Sequence, residues 1–500
     1  MTMASVVTLI ICIAITISQA VAASDDNILE KGISNESQGK NLTELTMQQI
    51  SLAIPYFSGN GDLIRMINNT NIADNKLALS ALKSCQELLP LAIYNLNRSL
   101  SADVDKAGVM SMTCAAGTTL QTCIDGFEDQ PREIFESVYN KLKYPIDLNR
   151  GATKLMAVLN NKSDVLIKDS EYPSWLSDGD RNLLQADSTI NADVVVAEDG
   201  SGKYKTVRDA VQNAPRNSTK RYVIYVKRGS YYENVKVEAD MWNVMVIGDG
   251  IQNTLIYSNL SHQGGAETWE TPTFAVYGEG FIARDIKFTN TAGAIGEQAV
   301  ALLSAADRSV FYRCGMDAYQ DTLCTLANRQ FYCECEIYGT IDFIFGNAAV
   351  VIQRSSIMVR KPLQGQYNVI TAQSRTDSYS QTGIVVQSST IRESGDLTGV
   401  RTFLGRPWRP YASVVFMENI MNKLIDPKGW TQWDPPTTTD TVFLAEYDNR
   451  GDGAETKDRV NWKGVNPKLS EKEAGWFTVG YFLNGNSWLP ATQVPYDSGL

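Results

Sequence analysis

The chain is 500 residues long, enough for two or three domains and at least one large core. Hydrophobic residues make up 43% and charged residues 20%, the balance of an ordinary soluble globular protein. A formal net charge of −11 argues against a nucleic-acid partner and against strong electrostatic attachment to an anionic polymer.

Residues 1–23, "MTMASVVTLIICIAITISQAVAA", have an apolar centre from Val6 to Ile17 and end on the small residues Ala20-Val21-Ala22. The pattern reads as a secretory signal peptide. No Lys or Arg precedes the apolar run, so an uncleaved anchor is the competing reading. No other stretch is long and apolar enough to span a bilayer. N-x-S/T sequons at Asn35, Asn41, Asn68, Asn97, Asn161, Asn217 and Asn259 agree with secretion. Eight cysteines less Cys12 of the leader leave seven, an odd number, so at least one has no intramolecular partner. None has the paired spacing of a zinc site.

Residues 25–170 read as helical, with apolar residues three and four apart, as in "NKLALSALKSCQELLPLAIYNLNRSL". Several such segments between short polar breaks predict an antiparallel helix bundle. Cys85 and Cys123 each fall within a candidate helix; they either link neighbours or remain two buried thiols. Pro, Gly, Ser and Asp cluster in "KDSEYPSWLSDGDRNLLQADST", which places a linker over residues 171–190.

From residue 191 the texture changes. Short β-branched and aromatic runs recur, among them "RYVIYVK", "NVMVIGDG", "SVFYRC", "RQFYCECEIYG" and "TGIVVQ", punctuated by Gly, Asn and Asp. The one helical interruption falls near 205–214. Such strands suit a sandwich, a barrel or a parallel β-solenoid whose turn takes about 20–25 residues. Gln298, Gln320 and Asp342 recur every 22 residues, which favours the solenoid and predicts that the three stack on adjacent turns, with Asp321 beside Gln320.

Asp342 lies in the apolar, strand-like run "IYGTIDFIFG", where an unpaired charge is costly. If the turns stack as the spacing predicts, Asp321 and Asp342 share a site. Close carboxylates cannot both ionise easily, so one is held as an acid and the other as a nucleophile or base. The side-chain N–H groups of Gln298 and Gln320 would then face a developing oxyanion. The bland alternative makes both aspartates solvated turn residues. The single histidine, His262, sits in a polar loop and suits a surface role better than a catalytic triad. No histidine or carboxylate cluster fits a metal. Carboxylate chemistry remains, either an esterase with an aspartate nucleophile or a glycosidase with an acid–base pair.

At these residues the chain resembles plant pectin methylesterases. "GSYYENV" (229–235), "GEGFIARDIKFTNTAG" (278–293), "QAVAL" (298–302), "DAYQDTL" (317–323), "GTIDFIFG" (339–346) and "LGRPW" (404–408) stand in that family's order and about its spacing. The likeness covers about 190–500, and residues 25–170, with "TCIDGF" at 122–127, resemble the family's inhibitor-like pro-region. The resemblance implies a helical four-helix-bundle pro-domain followed by a right-handed parallel β-helix over 191–500. It also implies hydrolysis of galacturonate methyl esters in cell-wall homogalacturonan, with no metal or cofactor. Carried over by position, Asp342 is the nucleophile and Asp321 the proton donor and then base. Gln320 and Gln298 hold the oxyanion, Arg406 pairs with the nucleophile, Trp408 offers a face to a sugar ring, and Thr268 is a further substrate contact. We expect a secreted monomer whose partners are methyl-esterified homogalacturonan and either its own pro-domain or a separate inhibitor protein. The competing readings are a catalytically silent regulator of such esterases and a β-helical pectin glycosidase.

The pattern also breaks. Ser355 stands where many relatives have a cysteine paired with the one at Cys335, so that bridge should be absent. Cys324 and Cys333 replace the usual Tyr and Arg, Leu326 a common histidine, and Arg409-Pro410 a Lys and a Glu. Strand alternation puts Cys333 and Cys335 on one face, poorly placed for a mutual disulfide. "DRNLL" (180–184) resembles a basic processing signal in which Asn182 replaces one basic residue, and no cysteine occurs between Cys12 and Cys85, where the pro-region usually has a pair.

Overall fold

The computed structural model describes residues 35–69, 76–161, 191–433 and 436–500. The expected leader, the linker with its "DRNLL" signal, and the side chains of Asn35 and Asn161 lie outside the described residues. Asn41, Asn68, Asn97, Asn217 and Asn259 are all exposed. Among the described residues, no helix is long and apolar enough to cross a membrane.

The N-terminal part consists of α-helices Asn35–Ala53, Asp62–Asn69, Lys76–Ser99, Lys106–Asp125 and Arg132–Asn161. Helical spacing decides which face is buried: Ala78, Ala81, Leu82, Cys85, Leu88, Leu89, Ala92 and Leu96 form one stripe of Lys76–Ser99. The next helix starts at Asp105, whose carboxylate accepts the Gly108 N–H at 2.7 Å and so satisfies one of the free amides of the first turn. A disulfide joins Cys85 to Cys123, tying these two helices together across 38 residues.

The C-terminal part is one right-handed parallel coil. Among the described residues its strands form three sheets of 11, 7 and 8 strands, and nearly every strand pairs with those three before and three after it. A short helix, Val207–Gln212, capped by the Thr206 hydroxyl, packs Val207, Ala210 and Val211 into the first turns. Aromatic rings fill the interior in a run: Phe274 lies 4.8 Å from Phe288 and 5.9 Å from Phe281, Phe281 5.7 Å from Phe311, and Phe311 stacks on Tyr332 at 4.6 Å. Each such ring, fully buried, contributes about 1.5–3 kcal/mol of hydrophobic stabilisation.

One corner of the coil is built the same way on seven successive turns. Immediately after seven consecutive strands of the eleven-stranded sheet, a single residue takes positive φ: Asp285, Arg313, Glu334, Arg354, Ser388, Glu418 and Asp448. On the first six of these turns that residue leads the chain into a strand of the eight-stranded sheet. At the upper turns the side chains of the residues that follow bind their neighbours' backbones. Ser355 Oγ accepts the Cys335 N–H, Ser389 Oγ that of Ser355, Asn419 Oδ1 that of Ser389, and Asn449 Oδ1 that of Asn419. These bonds help offset the cost of about 1–3 kcal/mol for each non-glycine residue held in that conformation.

The same corner corrects one sequence expectation. Cys333 and Cys335 do not share a face, because Glu334 at φ 53° breaks the strand alternation between them. Cys333 packs on the outside near the Pro495 carbonyl, and Cys335 lies in the interior.

Candidate active site

Asp342 is not inside a strand. It sits at the turn between Glu336–Gly339 and Ile344–Gly346, two residues before the latter strand, as Asp321 sits two residues before Leu323–Thr325. These strands are neighbours in the seven-stranded sheet, with Leu323 opposite Ile344. Continuing that register backward sets Asp321 directly beside Asp342, and the Asp321 N–H donates to the Ile341 carbonyl at 3.0 Å, as the pairing requires. Both take left-handed backbone, φ 62° and 49°, a conformation in which Asp is enriched.

The 22-residue spacing therefore holds for one step and fails for the next. Gln298 pairs with Gln320, but Asp342 pairs with Asp321 rather than Gln320. The repeat between the paired strands is 21 residues, as in Leu302 opposite Leu323. The extra residue is absorbed at Ala301 and Leu302, whose N–H groups both donate to the Thr322 carbonyl, at 2.9 and 3.3 Å.

Arg406 comes from two turns further along the sheet, since Gly405 is opposite Thr371 and Thr371 is opposite Ile344. Its Nε donates to both Asp342 oxygens, at 2.9 and 3.1 Å, and a second guanidinium nitrogen also donates to Oδ2. The pair is nearly out of solvent, with side chains 15% and 6% exposed. Asp321, 8% exposed, accepts no side-chain hydrogen bond among the described residues. Burial pushes both carboxyls above the usual aspartate range. Asp321 goes well above it, because the Asp342 charge adds to burial, whereas Arg406 holds Asp342 back. The arrangement sets the two carboxyls apart: one is held by a guanidinium, and the other is pushed further toward its protonated form by burial and its neighbour's charge.

The two amides border the same turns. Gln298 Oε1 is buried with no hydrogen-bond partner, and both glutamines are partly accessible. Among the described residues neither amide nitrogen donates a hydrogen bond, so their N–H groups are free to meet an oxyanion. Trp408 is half-buried, 6.3 Å from Phe345. Thr268 begins the turn Thr268–Glu270, next to Trp269, whose ring lies 6.1 Å from Phe345. No hydrogen bond links Thr268 to either aspartate among the described residues.

Sequence reasoning passed over Trp433. Its ring lies 4.0 Å from the Arg406 guanidinium and stacks at 6.0 Å on Trp408, so it braces both. The signal available was an aromatic in a Pro-rich loop, "TQWDPP", without any spacing that ties it to "LGRPW". Among the described residues, no group of three or more His, Cys, Asp or Glu is placed to hold a metal ion.

The helical part lies over this face of the coil. Ala275, Leu303, Cys324, Phe345 and Ala372, outward-facing on successive turns of the seven-stranded sheet, form one apolar cluster with the bundle, and Trp269, Trp408 and Trp433 pack against it. Polar contacts frame it. Arg409 donates to Asp125 and Glu128, each at 2.7 Å, Asn347 to Thr118 Oγ1 at 2.9 Å, Asn328 to Asn95 at 3.1 Å, and Lys236 to Glu87 at 2.7 Å. Arg409, of the Arg409-Pro410 pair singled out in the sequence, thus ties coil to bundle.

Comparison with known proteins agrees with this architecture. The family described as Pectinesterase matches residues 193–486, and the family described as Plant invertase/pectin methylesterase inhibitor matches residues 16–159. "Putative pectinesterase/pectinesterase inhibitor 24" of Arabidopsis thaliana is 44% identical over 91% of this chain and 81% of its own length. "Pectinesterase 2" of Citrus sinensis is 43% identical over 85% of this chain and 83% of its own. Among solved structures, the "Pectin methylesterase from Carrot" superposes with a TM-score of 0.62 at 49% identity, covering 63% of this chain and 99% of that one. A coil carrying a guanidinium-held carboxylate beside a second carboxyl, behind a helical bundle of the inhibitor type, therefore belongs to the pectinesterase family, and this chain is a pectinesterase fused to an inhibitor-like region.

Proposed function

We propose that the chain hydrolyses methyl esters of homogalacturonan with Asp342 as nucleophile and Asp321 as acid and base. The Asp342 carboxylate attacks the ester carbonyl carbon, and the N–H groups of Gln298 and Gln320 receive the oxyanion. As the tetrahedral species collapses, the C–O bond to methoxide breaks and Asp321 delivers its proton, releasing methanol. An anhydride with Asp342 remains. Asp321, now ionised, takes a proton from water, the hydroxyl attacks the anhydride, and the free galacturonate leaves with Asp342 regenerated. Trp408 supplies an apolar face for a sugar ring and Thr268 a polar contact.

The observation that carries this reading is the register of Asp321 with Asp342 together with the fork from Arg406. A glycosidase places its carboxyls about 5–9.5 Å apart across a scissile bond with solvent or sugar between them, and gains nothing from a guanidinium clamped on one of them. We assign residues 191–500 to the catalytic domain, 25–170 to the pro-domain, 171–190 to the linker and 1–23 to the leader, and place the mature protein in the cell wall as a monomer. The carrot structure supports a catalytic unit that folds without the bundle, since 99% of it aligns with 63% of this chain, about the length of the coil. The covered face supports a second role for the pro-domain: while docked, it denies polymer access to Asp321 and Asp342, so the precursor is latent.

Methanol release from methylated pectin by residues 186–500 is the test, with Asp342→Asn as control. Wild type releases methanol and the variant loses at least two orders of magnitude, in line with removal of a nucleophile. Equal rates in the two proteins sink the assignment, and reducing-end release without methanol points to a glycosidase.

A further inference from the structure

Among the described residues five cysteines carry free thiols: Cys114, Cys314, Cys324, Cys333 and Cys335. Two of them occupy the same corner on successive turns. Gly315 is opposite Glu336, the Glu336 N–H donates to the Cys314 carbonyl at 2.9 Å and the Arg313 N–H to the Cys333 carbonyl at 3.0 Å, which sets Cys314 directly opposite Cys335. Both side chains point into the interior, 0% and 1% exposed. Stacked residues on neighbouring strands have Cα atoms about 4.8 Å apart, within the roughly 4.4–6.8 Å that a disulfide spans.

The neighbours leave Cys335 one sulfur partner. On its other side stands Ser355, whose hydroxyl accepts the Cys335 N–H at 3.0 Å. Cys324 lies on the outer face under the bundle, Cys333 on the outer face of another sheet, and Cys114 in a helix. Cys335 Sγ already leans toward the turn that carries Cys314, donating to the Phe311 carbonyl at 3.3 Å. Cys314 Sγ faces the Tyr312 carbonyl at 3.5 Å.

We propose that Cys314 and Cys335 form a disulfide inside the coil when the chain folds in the secretory pathway. The oxidant is a disulfide of the thiol–disulfide oxidoreductase class. The Cys314 thiolate attacks it, forming a mixed disulfide and releasing one oxidoreductase thiolate. The Cys335 thiolate then attacks the Cys314 sulfur, closing the protein bond and releasing the second. Two thiol protons and two electrons leave the chain, and one oxidoreductase disulfide becomes a dithiol. The step precedes closure of these turns, because burial pushes both thiols up and so suppresses the thiolate. The result is a cross-link between turns at the level of the catalytic aspartates.

The test is a peptide map of the full chain secreted from a eukaryotic host, denatured in alkylating reagent without reductant. The expected result is a Cys314–Cys335 linked peptide that separates on reduction, with Cys114, Cys324 and Cys333 alkylated. In Cys314→Ser, Cys335 becomes alkylated. Should that variant fail to be secreted, the wild-type map decides alone. Alkylation of both residues in the wild type, or a link from either to any other cysteine, overturns the proposal. Methanol release does not enter the test, so its outcome leaves the catalytic assignment untouched.

Discussion

Removing the Arg406 guanidinium tests the electrostatic logic of the site most directly. In Arg406→Ala, Asp342 loses all three hydrogen bonds that the guanidinium donates to it while remaining almost fully buried beside Asp321. A hydrogen bond to a charged group contributes about 1.5–3 kcal/mol, and leaving one partner of a buried pair alone costs about 3–5 kcal/mol. Only the part that favours ionised over neutral Asp342 enters the rate, and about 3 kcal/mol of it corresponds to roughly a hundredfold loss of the reactive carboxylate. The sign follows from the proposed roles of Asp342 as nucleophile and Asp321 as acid. Activity rises with pH as Asp342 ionises and falls as Asp321 loses its proton, so the variant's acid limb moves to higher pH. Its deficit shrinks toward alkaline pH until Asp321 deprotonates. The assay is kcat for methanol release against pH with residues 186–500, beside Arg406→Lys, which keeps a charge but not the fork and falls between. An acid limb that stays in place, with the whole loss in KM, would falsify the claim that Arg406 keeps Asp342 ionised and would leave it a substrate contact.

Two further outcomes rest on named contacts. Asp321 binds its proton more tightly folded than unfolded, so the folded state holds more protons and stability falls as pH rises from about 4, the ordinary aspartate value, through the raised folded value. Asp321→Asn therefore abolishes turnover yet raises the unfolding temperature of residues 186–500 relative to wild type, by a margin larger at pH 8 than at pH 5; a margin independent of pH counts against the shift. Arg409→Ala leaves Asp125 and Glu128 facing each other without their shared cation, Asp125 being already pushed up to about 6 by burial. The full-length variant releases methanol faster than the full-length wild type, by tenfold or so if about 1.4 kcal/mol of docking is lost, while residues 186–500 with the same change alter little. Equal latency in the two full-length proteins removes Arg409 from the docking contact.

The sequence by itself determined which half is helical and which is built of short strands, because those signals are local, and resemblance to a family named the coil. Three- and four-residue apolar spacing in "NKLALSALKSCQELLPLAIYNLNRSL" fixes a helix and its buried stripe, and short β-branched runs broken by Asn, Asp and Gly fix strands and corners. It also picked out Gln298, Gln320, Asp321, Asp342 and Arg406, through motifs whose order matched a family. Only the tertiary structure decided how these meet. A single residue absorbed at Ala301 and Leu302 puts Gln298 opposite Gln320, the unbulged 21-residue step that follows puts Asp342 opposite Asp321, and one left-handed residue, Glu334, sends Cys333 and Cys335 to opposite sides of the wall. Arg406 reaches Asp342 across 64 residues, Trp433 braces that arginine, and the bundle covers the face that holds them. Such contacts depend on the summed lengths of every intervening turn. A shift of one residue anywhere in that sum changes the partner, and no short pattern records the total.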